Sequence, residues 1–458
     1  MTARHFIRIT VVPAFLLLCL ALGGASGGGH LANLVLQLSA IPIVIAALAA
    51  RPGAPMPRPG RVLVTLLVLA VALVLVQLVP LPPRIWTNLP GRDWVAQGFE
   101  MLGQPLPWMP ISLAPERTVS SALWALPAVA VLLGMLRLGG FRPAMLAWML
   151  VFVTAVAVGL GALQLAGGES SPLYFYEIAN RGMATGFFAN SNNMAQLLVI
   201  TIPFVGALYL RAREGSRSVQ KSSGLLVVLA GALTILLVGI AVNGSLAGIG
   251  LAVAASLATA LMLAFRRRPL PAWAASVGAL LLIGAAATVV MTPLQTSLLA
   301  EEAQRGEESR AALFRDGLRV ATDYMPLGSG VGTFAEIYPR YENVASVTRW
   351  YLNHAHNDYI ELAVETGVPG TILIGLFLLW WGGRAVAIWR ADTPDHFARA
   401  ATIATASLLA HSMVEFPLRT AALSAVLAMC CALMAEARGR SGERRRRHKE
   451  EARHLSAD

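Results

Sequence analysis

Charge is the first thing this sequence has little of. Asp, Glu, Lys and Arg make up 13% of its 458 residues, against roughly 25% in a soluble domain. That shortage excludes an ordinary water-soluble globular protein. Cysteine is scarce as well: Cys19, Cys430 and Cys431 all fall within apolar runs. They make neither a disulfide framework nor a metal-ligand spacing and read as membrane filler. Lysine is almost missing, so the net charge of +11 is carried by Arg. These arginines sit in short loops between apolar runs and in the tail, so membrane topology explains them better than nucleic acid does. The composition that remains is 56% hydrophobic. It is arranged in runs of about 20 residues, the length of a bilayer-crossing helix.

Twelve such helices are expected, near residues 6–23, 31–49, 62–79, 118–136, 143–165, 191–210, 224–242, 244–264, 272–292, 370–389, 398–415 and 418–436. The first follows Arg4 and Arg8 and precedes Ala25-Ser26, a pattern that also resembles a signal peptide. With so many spans behind it, an uncleaved first helix is the preferred reading. Placing both termini in the cytoplasm puts 25 of the 36 basic residues inside and 8 of the 25 acidic ones, as the positive-inside rule requires. The expected organisation is residues 1–179 as N-terminal spans, 180–436 as a second transmembrane region, and 437–458 as a basic cytoplasmic tail. Arg444 to Arg447 in that tail can touch anionic lipid.

Three segments outside the membrane are long enough to carry function. Residues 80–117 hold eight prolines with Trp86, Trp94 and Trp108, a composition suited to an anchor among the headgroups. Residues 166–190 form the second. Residues 293–368 form the main extramembrane piece.

Four stretches carry groups that can do chemistry. Gly186 to Ala195 leads into the sixth span, where Asn190 or Asn192 can cap the helix. The unpaired N–H groups at such an N-terminus suit a phosphate; a plain cap is the simpler reading. Residues 307–319 read as an amphipathic helix ending before Pro326, with Leu313, Phe314, Leu318 and Ala321 as its apolar stripe and Arg310 at the border. The turn Pro326-Leu327-Gly328-Ser329-Gly330-Val331-Gly332-Thr333-Phe334 follows, its glycines serving a close backbone approach. Then comes Asn353-His354-Ala355-His356-Asn357-Asp358, a helix start that Asn353 can cap and that Gly367 and Pro369 stop. The four-residue spacing lets Asp358 orient His354. Two histidines two apart on a helix point about 200° from each other, so one metal cannot readily take both, and no metal or other cofactor is expected. Histidine, which titrates near neutral pH, is a fair general base; a capping network is the plain alternative. The last stretch is His411 to Leu418, in which His411 and Glu415 lie one turn apart and can pair. Ionisable groups at membrane depth point to function, with helix-packing glue as the competing reading.

Together these stretches resemble the O-antigen ligase and polymerase family of bacterial membrane glycosyltransferases. The resemblance rests on Gly186-Phe187-Phe188-Ala189-Asn190-Ser191-Asn192, Ser309-Arg310, Pro326-Leu327-Gly328-Ser329-Gly330, His356-Asn357-Asp358-Tyr359 and Glu365-Thr366-Gly367-Val368-Pro369-Gly370, and extends to His411 to Leu418. It covers roughly residues 180–430. It implies an all-α, twelve-helix membrane fold of GT-C-like type in the inner membrane, with a periplasmic active site. The implied donor is an undecaprenyl-diphosphate glycan, transferred with inversion and without a metal. The implied acceptor is a hydroxyl of lipid A core, a polysaccharide or another molecule. Membrane lipids are partners and nucleic acid is not. By this resemblance Arg310 holds the diphosphate and His356 is essential. Asn190, Asn192 and Asn193 join the donor site, while His354, Asn357, Asp358, His411 and Glu415 support it or line the acceptor side. One departure stands out: Asn243-Gly244-Ser245-Leu246-Ala247-Gly248 carries Leu246 where the family commonly has Arg. Arg181, Arg349 or the helix end at Asn190–Asn193 are the candidates to replace that lost ligand. Three rival readings stay open: a repeat-unit polymerase, a secondary transporter, and an inactive scaffold of a polysaccharide assembly complex.

Overall fold

The computed structural model describes residues 3–27, 30–50, 55–139, 141–215, 219–268, 314–342 and 353–437. The chain opens with α1 (Ala3–Leu22), α2 (Leu31–Ala49) and α3 (Arg58–Gln77), then two short helices, α4 (Pro83–Trp86) and α5 (Asp93–Met101). Next come α6 (Pro115–Trp124), α7 (Leu126–Leu133), α8 (Pro143–Ala166), α9 (Ser191–Gly215), α10 (Val219–Asn243) and α11 (Leu246–Ala264). After residues 314–323, which are also helical, the chain ends its described part with α12 (Asp358–Trp389), α13 (His396–His411) and α14 (Ala421–Glu436). Among the described residues the one β feature is an isolated bridge between Leu81 and Met109.

Eight described helical stretches, one of them the run Pro115–Leu138 that contains α6 and α7, are long and apolar enough to cross a bilayer, so the chain is a multi-pass membrane protein. Of the other expected spans, three coincide with α1, α13 and α14, whose apolar stretches are shorter. The ninth, near 272–292, lies outside the described residues.

Burial separates the helices. Only 11% of the spanning stretch of α3 and 22% of that of α10 is buried, against 94% for α9. α9 therefore sits at the centre, packed against α8, α10, α11 and α13. Its polar residues are satisfied by those neighbours: Gln196 donates to Ser407 Oγ at 3.0 Å, and Thr201 pairs with Thr154 at 2.9 Å. Hydrogen bonds of this kind hold helices together where lipid removes any hydrophobic drive between them.

Three arginines expected in cytoplasmic loops turn out to close helix ends. Arg137 donates to Ala47 O in the last turn of α2 and to Ala50 O just past it, and Arg384 to Met434 O in the last turn of α14 and to Ala437 O just past it. Arg399, fully buried, donates to Phe265 O and Arg268 O beyond α11 and stacks on Trp389. The last carbonyls of a helix have no partner within it, and a cation there also meets the negative end of the dipole.

A second core, made of Val320, Ala321, Tyr324, Phe334, Ile337, Tyr338, Ala355, Ile360 and Val364, lies outside the main bundle. Here two expectations need correction. The expected apolar stripe of the 314–323 helix holds only at Ala321, which is buried: Phe314 and Leu318 are about half exposed, Leu313 lies outside the described residues, and Val320 and Tyr324 are buried in their place. The small face at Gly317 and Ala321 is the one that allows close approach to Ile360. Nor does the 80–117 segment serve as an anchor throughout. Trp86 is buried and donates to Pro107 O, although Trp108 stays exposed. Buried Arg92 donates to the carbonyls of Ile111 and Gly328 and lies over Tyr324, tying this segment to the second core. Burial lowers its pKa to about 10, with Tyr324 acting the other way, so the guanidinium keeps its charge at neutral pH.

Candidate active site

α12 is broken. Gly367, at φ 58° and ψ −148°, interrupts the helix, as Gly367 and Pro369 foretold, and a helical run resumes to Trp389. The break leaves carbonyls of Val364 and Glu365 without partners from the next turn. The glycine turn supplies them: Ser329 N donates to Val364 O at 3.0 Å and Gly330 N to Glu365 O at 2.9 Å. Gln77 adds its amide to Glu365 O and takes Val331 N in return. Gly328 has φ 77°, and a Cβ there would overlap the Glu365 carbonyl. The glycines of this turn thus serve backbone contact, as expected.

The N-terminus of α12 is capped by Asn357, not Asn353. Its Oδ1 accepts from Tyr359 N and Ile360 N, and its Nδ2 donates to Met413 O at 2.7 Å. The helix therefore starts four residues later than expected, and His354 and His356 precede it in irregular backbone. His354 is correspondingly not oriented by Asp358. Its Nδ1 meets Glu361 Oε1 at 2.9 Å, while Asp358 accepts from Ser412 Oγ at 2.7 Å. The four-residue spacing failed because His354 is not helical.

His356 is the one non-glycine residue with positive φ among the described residues, at 50°. L-residues visit this region at a cost of order 1–3 kcal/mol and persist there where the surroundings hold them. Those surroundings are the 412–420 turn. Glu415, 2% exposed, brings Oε2 to 3.4 Å from His356 Nδ1, and Phe416 packs edge-on against the ring. The His356 side chain remains 30% exposed. Sequence spacing paired Glu415 with His411; the structure brings Glu415 to His356. His411 is fully buried, with Nδ1 2.8 Å from Gln196 Oε1.

The start of α9 reaches the same place. Asn190 Oδ1 accepts from Asn192 N at 2.8 Å and is the cap. Asn192 spends its side chain elsewhere: Nδ2 donates to Glu415 Oε1 at 2.6 Å and Oδ1 accepts from Ser245 Oγ at 2.7 Å. Asn193 is buried in the first turn. Asn243, at the end of α10, donates to Ala184 O and Ser191 O. Fully buried Gln164 shapes the approach, accepting from Thr185 N and Gly186 N while donating to Gly186 O. Leu246 begins α11 next to Ser245 and is 43% exposed on this rim. Arg181 donates to Glu169 O and lies over Tyr174. Arg310 and Arg349 lie outside the described residues.

Sequence reasoning missed Arg419. From the turn before α14 it reaches Asp358 at 3.6 Å, Glu361 at 3.3 Å and Glu365 at 3.2 Å. Burial opposes its charge, but Glu361, Glu365 and Asp358 outweigh that and hold the guanidinium more firmly protonated than usual. The 358, 361, 365 spacing puts three carboxylates on one helix face, and that signal was available. Among the described residues no group of three His, Cys, Asp or Glu side chains is arranged to hold a metal ion.

The arrangement joins an imidazole backed by a buried carboxylate to the positive end of a long helix. Such a pair can take a proton from a hydroxyl and stabilise an anion beside it. Residues 230–375 match the family model described as O-antigen ligase, about a third of the chain. The match supports the O-antigen ligase family and, with it, a ligase- or polymerase-type role in polysaccharide biosynthesis. No curated protein matches the chain significantly.

Proposed function

We propose that this chain, whose residues 230–375 are of the O-antigen ligase family, transfers a glycan from undecaprenyl diphosphate to an acceptor hydroxyl at the periplasmic face of the inner membrane. The observation that carries the reading is His356, held in left-handed backbone with Nδ1 on buried Glu415. Glu415 is in turn bonded by Asn192 in the first turn of α9.

The acceptor hydroxyl binds at Nε2 of His356. Its oxygen attacks the anomeric carbon as the bond to the diphosphate oxygen breaks, and its proton passes to His356. Glu415 stabilises the imidazolium so formed. The diphosphate leaves with the bonding electrons, and its growing charge is met by the α9 N-terminus and by Arg310, whose guanidinium can bind phosphate oxygens in bidentate fashion. One displacement inverts the anomeric centre. With Leu246 on the rim, the α9 end carries more of this load. The polar groups cluster where α9, α11 and α12 begin and α13 ends, at helix termini. A transporter would be expected to place them near the middle of the membrane.

The test is a gene deletion with analysis of lipid-linked and surface glycans. Loss of polymer from lipid A with polymer retained on the lipid carrier supports the ligase. Single repeat units in its place identify a polymerase, which shares the donor chemistry. Rescue by the native gene but not by His356→Ala assigns the base; full rescue by His356→Ala at normal membrane levels overturns it.

A further inference from the structure

The turn between α13 and α14, residues 412–420, brings two side chains against His356. Glu415 meets Nδ1 and Phe416 packs against the ring at 4.9 Å between centroids. Phe416 also lies 4.6 Å from His354. The same turn is joined to the start of α12 by four hydrogen bonds, the longest from Leu418 N to Asp358 Oδ2 at 3.5 Å. Asp358 N donates to Ser412 O at 2.9 Å, Ser412 Oγ to Asp358 Oδ2 at 2.7 Å, and Asn357 Nδ2 to Met413 O at 2.7 Å. At the far end of the turn stands Arg419, whose Nε and Nη2 meet three carboxylates of α12.

We propose that Arg419 is a positioning residue that clamps the 412–420 turn onto α12 and so holds Glu415 and Phe416 against His356. Its consequence for glycan transfer rests on His356 being the base; the clamp itself does not. A guanidinium suits the task because its fork reaches carboxylates in different directions, whereas an ammonium is a single point charge. Glu361 couples the clamp to the second histidine, since its Oε1 meets both Arg419 and His354 Nδ1 and its Oε2 accepts from Ala355 N. The segment 354–356 is therefore held from both sides, by Glu361 of α12 and by the turn that Arg419 secures.

The probe is diethyl pyrocarbonate, which modifies imidazole and needs no substrate. Its rate of reaction at His356 is followed by peptide mass spectrometry on the full chain in nanodiscs, with His30 as internal control. Arg419→Lys is expected to raise the His356 rate several-fold and leave His30 unchanged. Glu365→Gln, which removes one charge of the clamp but keeps an oxygen acceptor, is expected to give a smaller rise, and it decides the matter if the lysine variant does not insert. An unchanged His356 rate in the inserted variants overturns the clamp. In glycan transfer, Arg419→Lys is expected to lose about a hundredfold, the order that a misplacement of roughly 1 Å costs. Altered labelling with full transfer would support the clamp and count against His356 as the base, so the two ideas fail separately.

Discussion

Replacing Glu415 by Gln keeps the shape of the side chain and removes its charge. A unit-charge pair at the 3.4 Å separation of Glu415 Oε2 and His356 Nδ1 interacts by about 5 kcal/mol at an effective dielectric near 20. The histidine side chain is 30% exposed, so water screens much of this, and about 1.5–3 kcal/mol is left, the lower part of the range for close charge pairs. At about 1.4 kcal/mol per tenfold, transfer should fall roughly ten- to a hundredfold. The carboxamide adds a second effect. Its oxygen can still accept from Asn192, which turns its N–H₂ toward His356 Nδ1. Nδ1 then accepts, the ring proton moves to Nε2, and the lone pair needed by the acceptor hydroxyl is gone. A wrong tautomer of this kind pushes the loss to the upper end of the range or past it. The assay is the initial rate in nanodiscs with lipid-linked glycan extracted from the source strain and its lipid acceptor. A Glu415→Gln rate equal to wild type, with His356 labelled normally, would refute the reasoning.

Gly328→Ala places a Cβ against the Glu365 carbonyl at positive φ. It should destabilise by at least about 1–3 kcal/mol, seen as a lower melting temperature in detergent. Asn357→Ala removes the α12 cap and the tie to Met413 and should cost about 1 kcal/mol or more, with Asn357→Asp recovering the cap; thermal unfolding of the three proteins compares them. Arg399→Met strands the carbonyls of Phe265 and Arg268 and should cost about 3 kcal/mol. Its check is thermal stability at unchanged His356 labelling, because this site is built without Arg399.

Much of the fold was legible because lipid imposes one rule along the whole chain: an apolar run of spanning length becomes a helix, since no other open structure satisfies its backbone. The eight candidate spans fall where hydropathy placed them. The family resemblance was legible too, in motifs whose residues the matched region partly contains. Side-chain pairing within those motifs was less readable. Helical spacing predicted His354 with Asp358, and that failed because the helix begins at Asp358 and not before it.

From the sequence alone came the membrane class, most helix positions, the broken helix at Gly367, and His356 as the histidine worth testing. The network around that histidine came from tertiary structure. Glu415 lies 59 residues away along the chain, Asn192 is 164 away, and Arg419 binds three acids across the gap between α12 and the turn before α14. Hydropathy and helical period report what each residue's own segment prefers. Which two segments then press a carboxylate onto an imidazole depends on how whole helices pack, and no local period carries that information.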